Sequence, residues 1–380
     1  MRMLLMGKCD ALVLSKMSKS QLHMRGKSLC RLIVTVGGFT LFIWYLIYRH
    51  YVQTQVDRGS PIPEREIVCG SALSHRLQQC PPFNKNPYLH GEYNVSEETA
   101  PSWETIYRKY TAQGVSRTGS DNLYSVSCNS GSNTSQHPPP MWSPAECQPE
   151  QTVAIVIPYR NREMHLRSLV DHITPILRRQ LTKYTMFVVE QVGETHFNRA
   201  ALFNIAFIQS NKVADFDCFI FHDVDLLPLQ DNLPYRCKKT RPVHLSVAVD
   251  KFDFKLPYLQ LLGGVVAVSK EQFLNINGFS NCFFGWGGED DDMFYRFRHK
   301  GYSIFRYPNE LSRYHMHRHQ QSELNNHRME TLEKSARRFD SDGYLQTKYT
   351  ITSASTVHAG LIQWISVDLD ERLMTSQCLR

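Results

Sequence analysis

The central part of the chain alternates apolar strand-like runs with helical segments. Residues 153–159, 185–192 and 217–227 are rich in β-branched and aromatic side chains, which is typical of buried strands. Residues 162–179 carry apolar side chains at helical spacing, and residues 201–210 form a second apolar segment that we predict to be helical. This alternation predicts an α/β fold with a mostly parallel sheet and helices on both faces.

Three polar motifs follow the predicted strands or precede the predicted helices. They occupy residues 158–162, 197–199 and 223–225. In open α/β sheets, ligands bind beyond the carboxyl ends of the strands. We therefore expect these three motifs to surround one binding site.

An uncharged apolar run occupies residues 32–48, between Arg31 and Arg49. Its length is close to the lower limit for a helix that crosses a hydrocarbon core of ~30 Å. Residues 1–31 are basic, so the positive-inside rule places them in the cytosol and everything after the run in the lumen. A cleaved signal peptide is the alternative, but no small-residue cleavage site follows the run.

A luminal location is consistent with other features of the sequence. Ten cysteines suit an oxidising compartment, and Asn94 and Asn133 lie in glycosylation sequons. We expect a stem over residues 49–79 and a luminal catalytic domain over residues 80–380. The net charge of +7 comes largely from the N-terminal tail, so it does not indicate a nucleic-acid partner.

An Asp-x-Asp motif follows the third predicted strand. If the strand continued through it, alternation would direct Asp223 and Asp225 to the same side. Carboxylate oxygens suit Mg²⁺ or Mn²⁺, which bridge diphosphates. The His-rich segment 315–319 is either a basic surface loop or the remainder of this metal site.

Residues 284–292 combine three glycines, one tryptophan and four consecutive acids. Adjacent carboxylates repel each other, and such a cluster lowers the stability of the fold unless a cation or polar ligand binds to it. An aromatic ring beside the carboxylates suits stacking on a sugar. A solvated acidic turn is the alternative.

Basic side chains near predicted strand or turn ends are candidates for phosphate contacts or, taken singly, ordinary surface charges. These are Arg160, Arg162, Arg199 and Lys251.

Together these motifs resemble the metazoan β-1,4-galactosyltransferase family over about residues 80–375. The resemblance implies a GT-A fold, a type II Golgi anchor, a UDP-sugar donor and an inverting, Mn²⁺-dependent reaction. It is carried by IPYRNRE (157–163), FNRA (197–200), FHDVDLLP (221–228), DKF (250–252), LPY…GG (256–264), INGF (276–279), FGWGGEDDD (284–292) and MHRH (316–319).

The resemblance also assigns roles to individual residues. Asp290 would be the general base, and Trp286 would lie in a mobile loop that closes over the donor. The implied disulfides are Cys80–Cys147 and Cys218–Cys237, while Cys282 has no implied partner. The implied metal ligands are Asp225, Met316 and His319. The implied donor-binding residues are Pro158, Tyr159, Arg160, Asn161, Arg162, Phe197, Asn198, Arg199, Val224, Asp225, Lys251, Leu261 and Trp286. The implied acceptor-binding residues are Gly288, Glu289, Asp290, Asp291, Arg328, Met329 and Leu332.

One departure from the family pattern bears on the donor sugar. Relatives that transfer galactose usually carry Tyr and Phe at the positions of Leu261 and Leu262, and the Tyr crowds the donor's C2 substituent. Leucine leaves room for a 2-acetamido group, so we expect UDP-GalNAc as donor and a GalNAcβ1-4GlcNAc product. The alternative is that Leu261 is a neutral packing change and the donor is UDP-Gal.

The expected acceptor is a terminal GlcNAc on a protein or lipid. The sequence leaves open whether the natural carrier is an N-glycan, an O-glycan or a glycolipid. Two other classes remain as alternatives, namely a non-catalytic Golgi protein that binds sugars or escorts another transferase, and a metal-dependent hydrolase.

Overall fold

The computed structural model describes residues 77–95, 100–111, 141–319 and 323–378. These residues belong to one compact unit that begins at His75. The predicted cytoplasmic tail, the apolar run at 32–48 and Asn133 lie outside them. Within the described ranges, no helix has both the length and the apolar character needed to cross a bilayer.

An eight-stranded mixed sheet forms the centre of the described unit, in the order β10-β11-β2-β1-β3-β7-β5-β8. A second sheet has the order β4-β9-β6. The strands are β1 (Thr152–Tyr159), β2 (Lys183–Gln191), β3 (Cys218–His222), β4 (Leu226–Pro228), β5 (Val243–His244), β6 (Ala248–Val249), β7 (Val265–Ser269), β8 (Phe305–Arg306), β9 (Arg313–Met316), β10 (Thr350–Val357) and β11 (Ile362–Asp368). The helices are α1 (Trp103–Thr111), α2 (Glu163–Arg179), α3 (Arg199–Val213), α4 (Lys270–Asn275), α5 (Glu289–His299), α6 (Arg328–Glu333) and α7 (Glu371–Cys378).

The four central strands β11, β2, β1 and β3 are parallel. Antiparallel partners flank them, because β10 pairs with β11 and β7 pairs with β3. The predicted α/β class is therefore confirmed, with a mixed rather than purely parallel sheet.

Helices α2 and α3 cover opposite faces of the sheet. Alternating side chains of a strand point to opposite faces, and β1 shows this directly. Val153, Ile155 and Ile157 belong to the same core cluster as the apolar residues of α2. Ala154 and Val156 belong to the cluster that contains α3. The prediction of helices on both faces is confirmed.

The predicted strand over residues 217–227 is wrong as one continuous strand. Strand β3 ends at His222, a turn contains Val224 and Asp225, and β4 continues in the smaller sheet against β9. Strand alternation therefore does not orient the two carboxylates. Asp223 and Asp225 instead bond to different partners, as described below.

Three disulfides stabilise the described unit. Cys80–Cys147 and Cys218–Cys237 are both present, as the family resemblance implied. The third bond joins Cys282 to Cys378 across 96 positions. It connects the segment before the Trp286 loop to the C-terminal helix α7, and it supplies the partner for Cys282 that the sequence did not indicate.

Candidate active site

The candidate site lies where the chain changes direction in the sheet. From β1 the chain moves to β2 on one side and then returns to β3 on the other, and both strands are parallel to β1. Such a switch point leaves a crevice at the carboxyl ends of the neighbouring strands. The segment 158–162 and the turn 223–225 both emerge there, as the sequence predicted.

Arg199 connects this turn to the acidic helix α5. Its Nε donates to Oδ1 of Asp223 at 2.5 Å, and its Nη1 lies 3.4 Å from Oε1 of Glu289. Arg199 is placed by the start of α3, because the Asn198 side chain caps this helix by accepting from the N–H of Ala201. The predicted phosphate-binding cation is thus held by carboxylates in this structure.

The four acids of the 284–292 segment form the first turn of α5. Gly288 precedes them with φ of 98°, a conformation that favours glycine. Acids in the first turn are stabilised by the helix dipole, which offsets part of their mutual repulsion. These four acids therefore form a dense negative cluster at the N-terminus of a helix, and the alternative of a solvated acidic turn is wrong.

Burial and mutual repulsion raise the pKa values of these acids. Burial, followed by the negative charge of Asp290, raises the pKa of Glu289 to about 7. The same two effects raise the pKa of Asp291 to about 6. Burial also raises the pKa of Asp290, although Arg199 opposes the increase. A carboxyl group near neutrality is suited to proton transfer.

Three carboxylate oxygens of this cluster are buried without a hydrogen-bond partner among the described residues, and Oδ1 of Asp292 is one of them. Oε2 of Glu289 and Oδ1 of Asp291 are buried and accept no hydrogen bond from the described residues. Buried polar atoms are normally paired, so the unpaired oxygens of Glu289 and Asp291 indicate partners that the described residues do not supply. Asp292 has a structural role, since it forms a fully buried ion pair with Arg296 at 2.5 Å.

Asp290 and Leu261 approach the same glycine from the acidic helix and the 256–264 segment. A Cβ atom at Gly263 would lie 2.8 Å from Oδ2 of Asp290 and 3.7 Å from Cδ1 of Leu261. The charges of Asp225 and Asp290 both act on Asp223. The metal-ligand candidate Asp225 and the base candidate Asp290 therefore both lie near Asp223 in the turn after β3.

The implied metal ligands are also close together. Nε2 of His319 lies 2.8 Å from Oδ2 of Asp225, and Met316 is the strand partner of Leu226, the residue after Asp225. Asp250 braces β9 through the N–H of Met316 at 3.0 Å. The carboxylate suits Mn²⁺ and the imidazole tolerates it, whereas the thioether of Met316 would be a soft and weak ligand. The described residues contain no cluster of three or more His, Cys, Asp or Glu side chains suited to a metal, and the implied set contains only two such residues.

The other histidines of segment 315–319 have different partners. His315 forms an ion-pair contact with Asp250 at 2.6 Å. Nε2 of His317 lies 2.8 Å from the hydroxyl of Ser168. His319 bonds to Asp225 in the Asp-x-Asp turn, and Nη2 of Arg162 lies 3.2 Å from its other ring nitrogen. Of the three histidines in this segment, His319 is therefore the metal-ligand candidate, while His315 and His317 hold the segment in place through Asp250 and Ser168.

The Trp286 loop lies against the segment that leads into α6. The Trp286 N–H donates to Glu323 O at 2.8 Å, and the side chain remains half exposed. The Arg328 guanidinium lies 5.9 Å from the Trp286 ring. Met329 is exposed and Leu332 is half-buried. The structure thus brings the implied acceptor residues of α6 next to the glycine-rich loop.

The remaining donor-site candidates surround the same strand ends with varied exposure. Arg160 donates to Thr195 O at 2.6 Å and stacks over the Phe197 ring at 5.1 Å. Asn161 has a positive φ of 52°. Lys251 is exposed on a short 3-10 turn beside Asp250. Pro158, Tyr159 and Val224 lie at or just beyond the strand ends.

Tyr258 is a site residue that the sequence reasoning did not assign. Its hydroxyl lies 3.5 Å from Oδ2 of Asp291, and its ring is nearly half exposed. Burial, then the charges of Asp290 and Asp291, raise the pKa of this phenol. The signal was present in the LPY motif at 256–258, which contributed to the resemblance without a role for the tyrosine.

A mixed α/β sheet with an Asp-x-Asp turn at its switch point and an adjacent acidic helix defines a glycosyltransferase of the GT-A type. The catalytic domain of Drosophila β-1,4-galactosyltransferase 7, solved with xylobiose, matches 60% of this chain and 98% of that chain, at 30% identity and a TM-score of 0.52. A mutant of the same enzyme, solved with manganese, UDP-Gal and xylobiose, matches with a TM-score of 0.50 at 30% identity, again over 60% of this chain and 98% of that chain.

Sequence comparison agrees with this class. Residues 114–238 match the N-terminal region of glycosyl transferase group 7, and residues 243–320 match the N-terminal domain of galactosyltransferase. The chain is 49% identical to mouse β-1,4-galactosyltransferase 1 over 199 residues, 52% of this chain and 48% of that protein. It is 43% identical to mouse β-1,4-galactosyltransferase 2 over 234 residues, 60% of this chain and 63% of that protein. The chain belongs to the β-1,4-galactosyltransferase family, and the matches span about half to three fifths of these curated relatives.

Proposed function

We propose that this chain transfers a galactose-type sugar from a UDP donor to the 4-hydroxyl of a terminal GlcNAc, with inversion at the anomeric carbon. The observation that carries the proposal is the position of Asp290. Its carboxylate lies against Gly263 beside Leu261, and its charge acts on Asp223 together with that of Asp225. The candidate base thus lies close to both the donor-side wall and the Asp-x-Asp turn.

The chain's own residues account for the chemistry at the acceptor. A sugar hydroxyl is too weak an acid to attack unaided, so Asp290 accepts its proton as the new bond forms. General base catalysis of this kind is worth about 10²–10⁴-fold. The carboxylates of Glu289 and Asp291 accept hydrogen bonds from acceptor hydroxyls, and Trp286 covers the sugar and excludes water.

Asp225, His319 and Met316 would hold the metal at the donor diphosphate. Mn²⁺ supplies positive charge that stabilises the departing UDP. The manganese and UDP-Gal bound to the Drosophila relative support this choice of ion and donor class. Arg160, Arg162 and Lys251 add positive charge near the donor, and Arg199 orients the acids.

The donor sugar has two candidates. The names of the relatives favour UDP-Gal. Leu261 favours UDP-GalNAc, because its half-buried side chain lies beside the base and lacks a hydroxyl that would crowd a 2-acetamido group. An apolar pocket change is worth about 1–3 kcal/mol, so both donors are expected to react at different rates.

The proposal extends to location. We place the chain in the Golgi membrane as a single-pass type II protein with residues 80–380 in the lumen. This placement rests on the apolar run at 32–48, the basic tail, the sequons at Asn94 and Asn133, and the three disulfides. Protease protection of tagged microsomes would test it, since only a cytosolic tag should be removed.

The direct test is turnover by the full-length chain in detergent, with Mn²⁺, a GlcNAc β-glycoside and either UDP-Gal or UDP-GalNAc. We expect a β-1,4-linked disaccharide with one of the two donors preferred. Release of free sugar without an acceptor would favour the hydrolase class. Absence of transfer from both donors by a folded chain would favour the sugar-binding or escort class.

A further inference from the structure

The guanidinium of Arg306, which has no assigned role in the site, binds the backbone of the 256–264 segment. Nη2 of Arg306 donates to the carbonyls of Leu259 at 2.9 Å and Leu261 at 3.0 Å. Each of its two hydrogens therefore has one acceptor. A charged donor shared by these two carbonyls restrains the backbone around Leu261, whose side chain is the proposed wall of the donor site.

We call the bonds from Arg306 to the carbonyls of Leu259 and Leu261 the clamp. The buried side chain of His244 extends this clamp to the carbonyl of Gly263. His244 on β5 is the register partner of Arg306 on β8. Nε of Arg306 donates to Nδ1 of His244 at 3.2 Å, so Nε2 carries the imidazole hydrogen and donates to Gly263 O at 3.0 Å. Burial and the nearby Arg306 lower the pKa of His244 to about 3, which keeps the ring neutral and this direction of donation intact.

The clamp reaches Asp290 through a single peptide group. The carbonyl of Leu261 accepts from Arg306, and the N–H of Leu262, in the same peptide group, faces the Asp290 carboxylate and lowers its pKa. The next residue confirms this proximity, because a Cβ atom at Gly263 would lie 2.8 Å from Oδ2 of Asp290. In a trans peptide, the C=O and N–H point in opposite directions. Arg306 therefore lies at one edge of the peptide plane and Asp290 at the opposite edge, and rotation of the plane would turn the carbonyl away from Arg306 and the N–H away from Asp290.

We propose that Arg306, supported by His244, is a positioning residue that orients both Asp290 and Leu261 through the 261–262 peptide. The inference rests on the proposed function, because it concerns the same base and the same donor wall. Arg306 touches neither sugar. Its contribution is to hold the peptide N–H toward the base and the Leu261 side chain toward the donor.

The experiment compares full-length wild type with Arg306→Met, Arg306→Lys and Arg306→Ala. For Arg306→Met we expect kcat to fall about 10- to 100-fold, as for loss of a hydrogen bond to a charged group, with a much smaller change in the KM for the donor. The ratio of UDP-Gal to UDP-GalNAc rates should also change. Arg306→Lys should be intermediate, because lysine keeps the charge and loses the fork.

Two controls separate positioning from general damage. Arg241→Met removes a guanidinium that lies over the neighbouring Phe305 ring at 4.9 Å, and it should leave kcat and the donor ratio unchanged. Added guanidinium ion should restore part of the kcat of Arg306→Ala. UDP affinity and the melting temperature report whether each variant is folded.

The outcomes are distinct. Full-rate transfer and an unchanged donor ratio in Arg306→Met, beside an active wild type, would overturn this inference alone. Equal losses in Arg306→Met and Arg241→Met, or a folded Arg306→Ala that guanidinium does not restore, would also overturn it. A wild-type chain that transfers no sugar would overturn the proposed function as well.

Discussion

Nε2 of His319 lies 2.8 Å from Oδ2 of Asp225, although 94 positions separate the two residues. The bond joins the turn after β3 to the segment after β9, because β4 and β9 pair in the smaller sheet. This relationship brings a carboxylate and an imidazole together at the switch point. It is the strongest geometric support for the proposed metal site.

The first prediction concerns this pair. Removing divalent metal with a chelator should abolish transfer, and Mn²⁺ should restore it. Mn²⁺ should raise the melting temperature of the wild type, because a ligand that binds only the folded state stabilises it. Asp225→Asn should lose most of this shift. A full Mn²⁺-dependent shift in Asp225→Asn would contradict the assignment, and Asp253→Asn is an exposed control.

The second prediction concerns the base. Asp290→Asn keeps the size of the side chain and removes the proton acceptor, so transfer should fall by about 10²–10⁴-fold. UDP affinity, measured by calorimetry with Mn²⁺, should stay within a small factor of the wild type. A variant that retained near-normal kcat would show that another group accepts the proton.

The third prediction concerns the donor. Leu261→Tyr should lower the rate with UDP-GalNAc relative to UDP-Gal by about 10-fold or more, because the larger ring occupies the space of the 2-acetamido group. Side-by-side initial rates with the two donors measure the ratio. Leu259→Tyr is a matched control, since the Leu259 side chain is mostly exposed. An unchanged ratio in Leu261→Tyr would remove this residue from donor selection.

The fourth prediction is a pH dependence of stability. Glu289 has a pKa of about 7 in the folded chain, whereas an unfolded glutamate titrates near about 4.3. Between these values the folded state keeps a proton that the unfolded state has released, so Glu289 makes the free energy of unfolding fall as pH rises.

Glu289→Gln removes this contribution. Its melting temperature relative to the wild type should therefore be higher at about pH 7.5 than at about pH 5, without ligand or metal. Glu333→Gln, on the exposed end of α6, is the surface control. A relative melting temperature of Glu289→Gln that is constant with pH would contradict the raised pKa.

The fifth prediction concerns the third disulfide. Cys282→Ser with Cys378→Ser should lower the free energy of unfolding by about 2–5 kcal/mol, because the bond closes a long loop. Peptide mapping without reduction should recover the 282–378 pair from the wild type. Recovery of two free thiols instead would refute the pairing.

Local sequence patterns were sufficient for the central layers of the fold. Runs of β-branched residues indicated β1 and β2, and helical spacing indicated α2. The 217–227 segment shows the limit of such reasoning, because its apolar character continues through a turn. Pairing of Leu226 with Met316 moves the second half into another sheet, and a local pattern contains no information about that partner.

In the site, too, local patterns indicated the residue types but not the long-range contacts between them. The glycine and acid pattern of 284–292 and the Asp-x-Asp motif identified the chemistry, and the family resemblance supplied roles. No local pattern indicated that Arg199 would join Asp223 to Glu289, that Cys282 would pair with Cys378, or that Tyr258 would approach Asp291. Each of these contacts joins residues far apart in the chain.

By itself, the sequence determined the class of the sheet, the residue types that carry the chemistry and the order in which they occur. These properties follow from side-chain periodicity and ligand preference, which are local. The tertiary structure decided which acids lie together, which cation bridges them and which backbone carbonyls Arg306 holds. Those relationships depend on sheet order and strand register, because only chain crossings bring segments separated by tens of residues within hydrogen-bond distance.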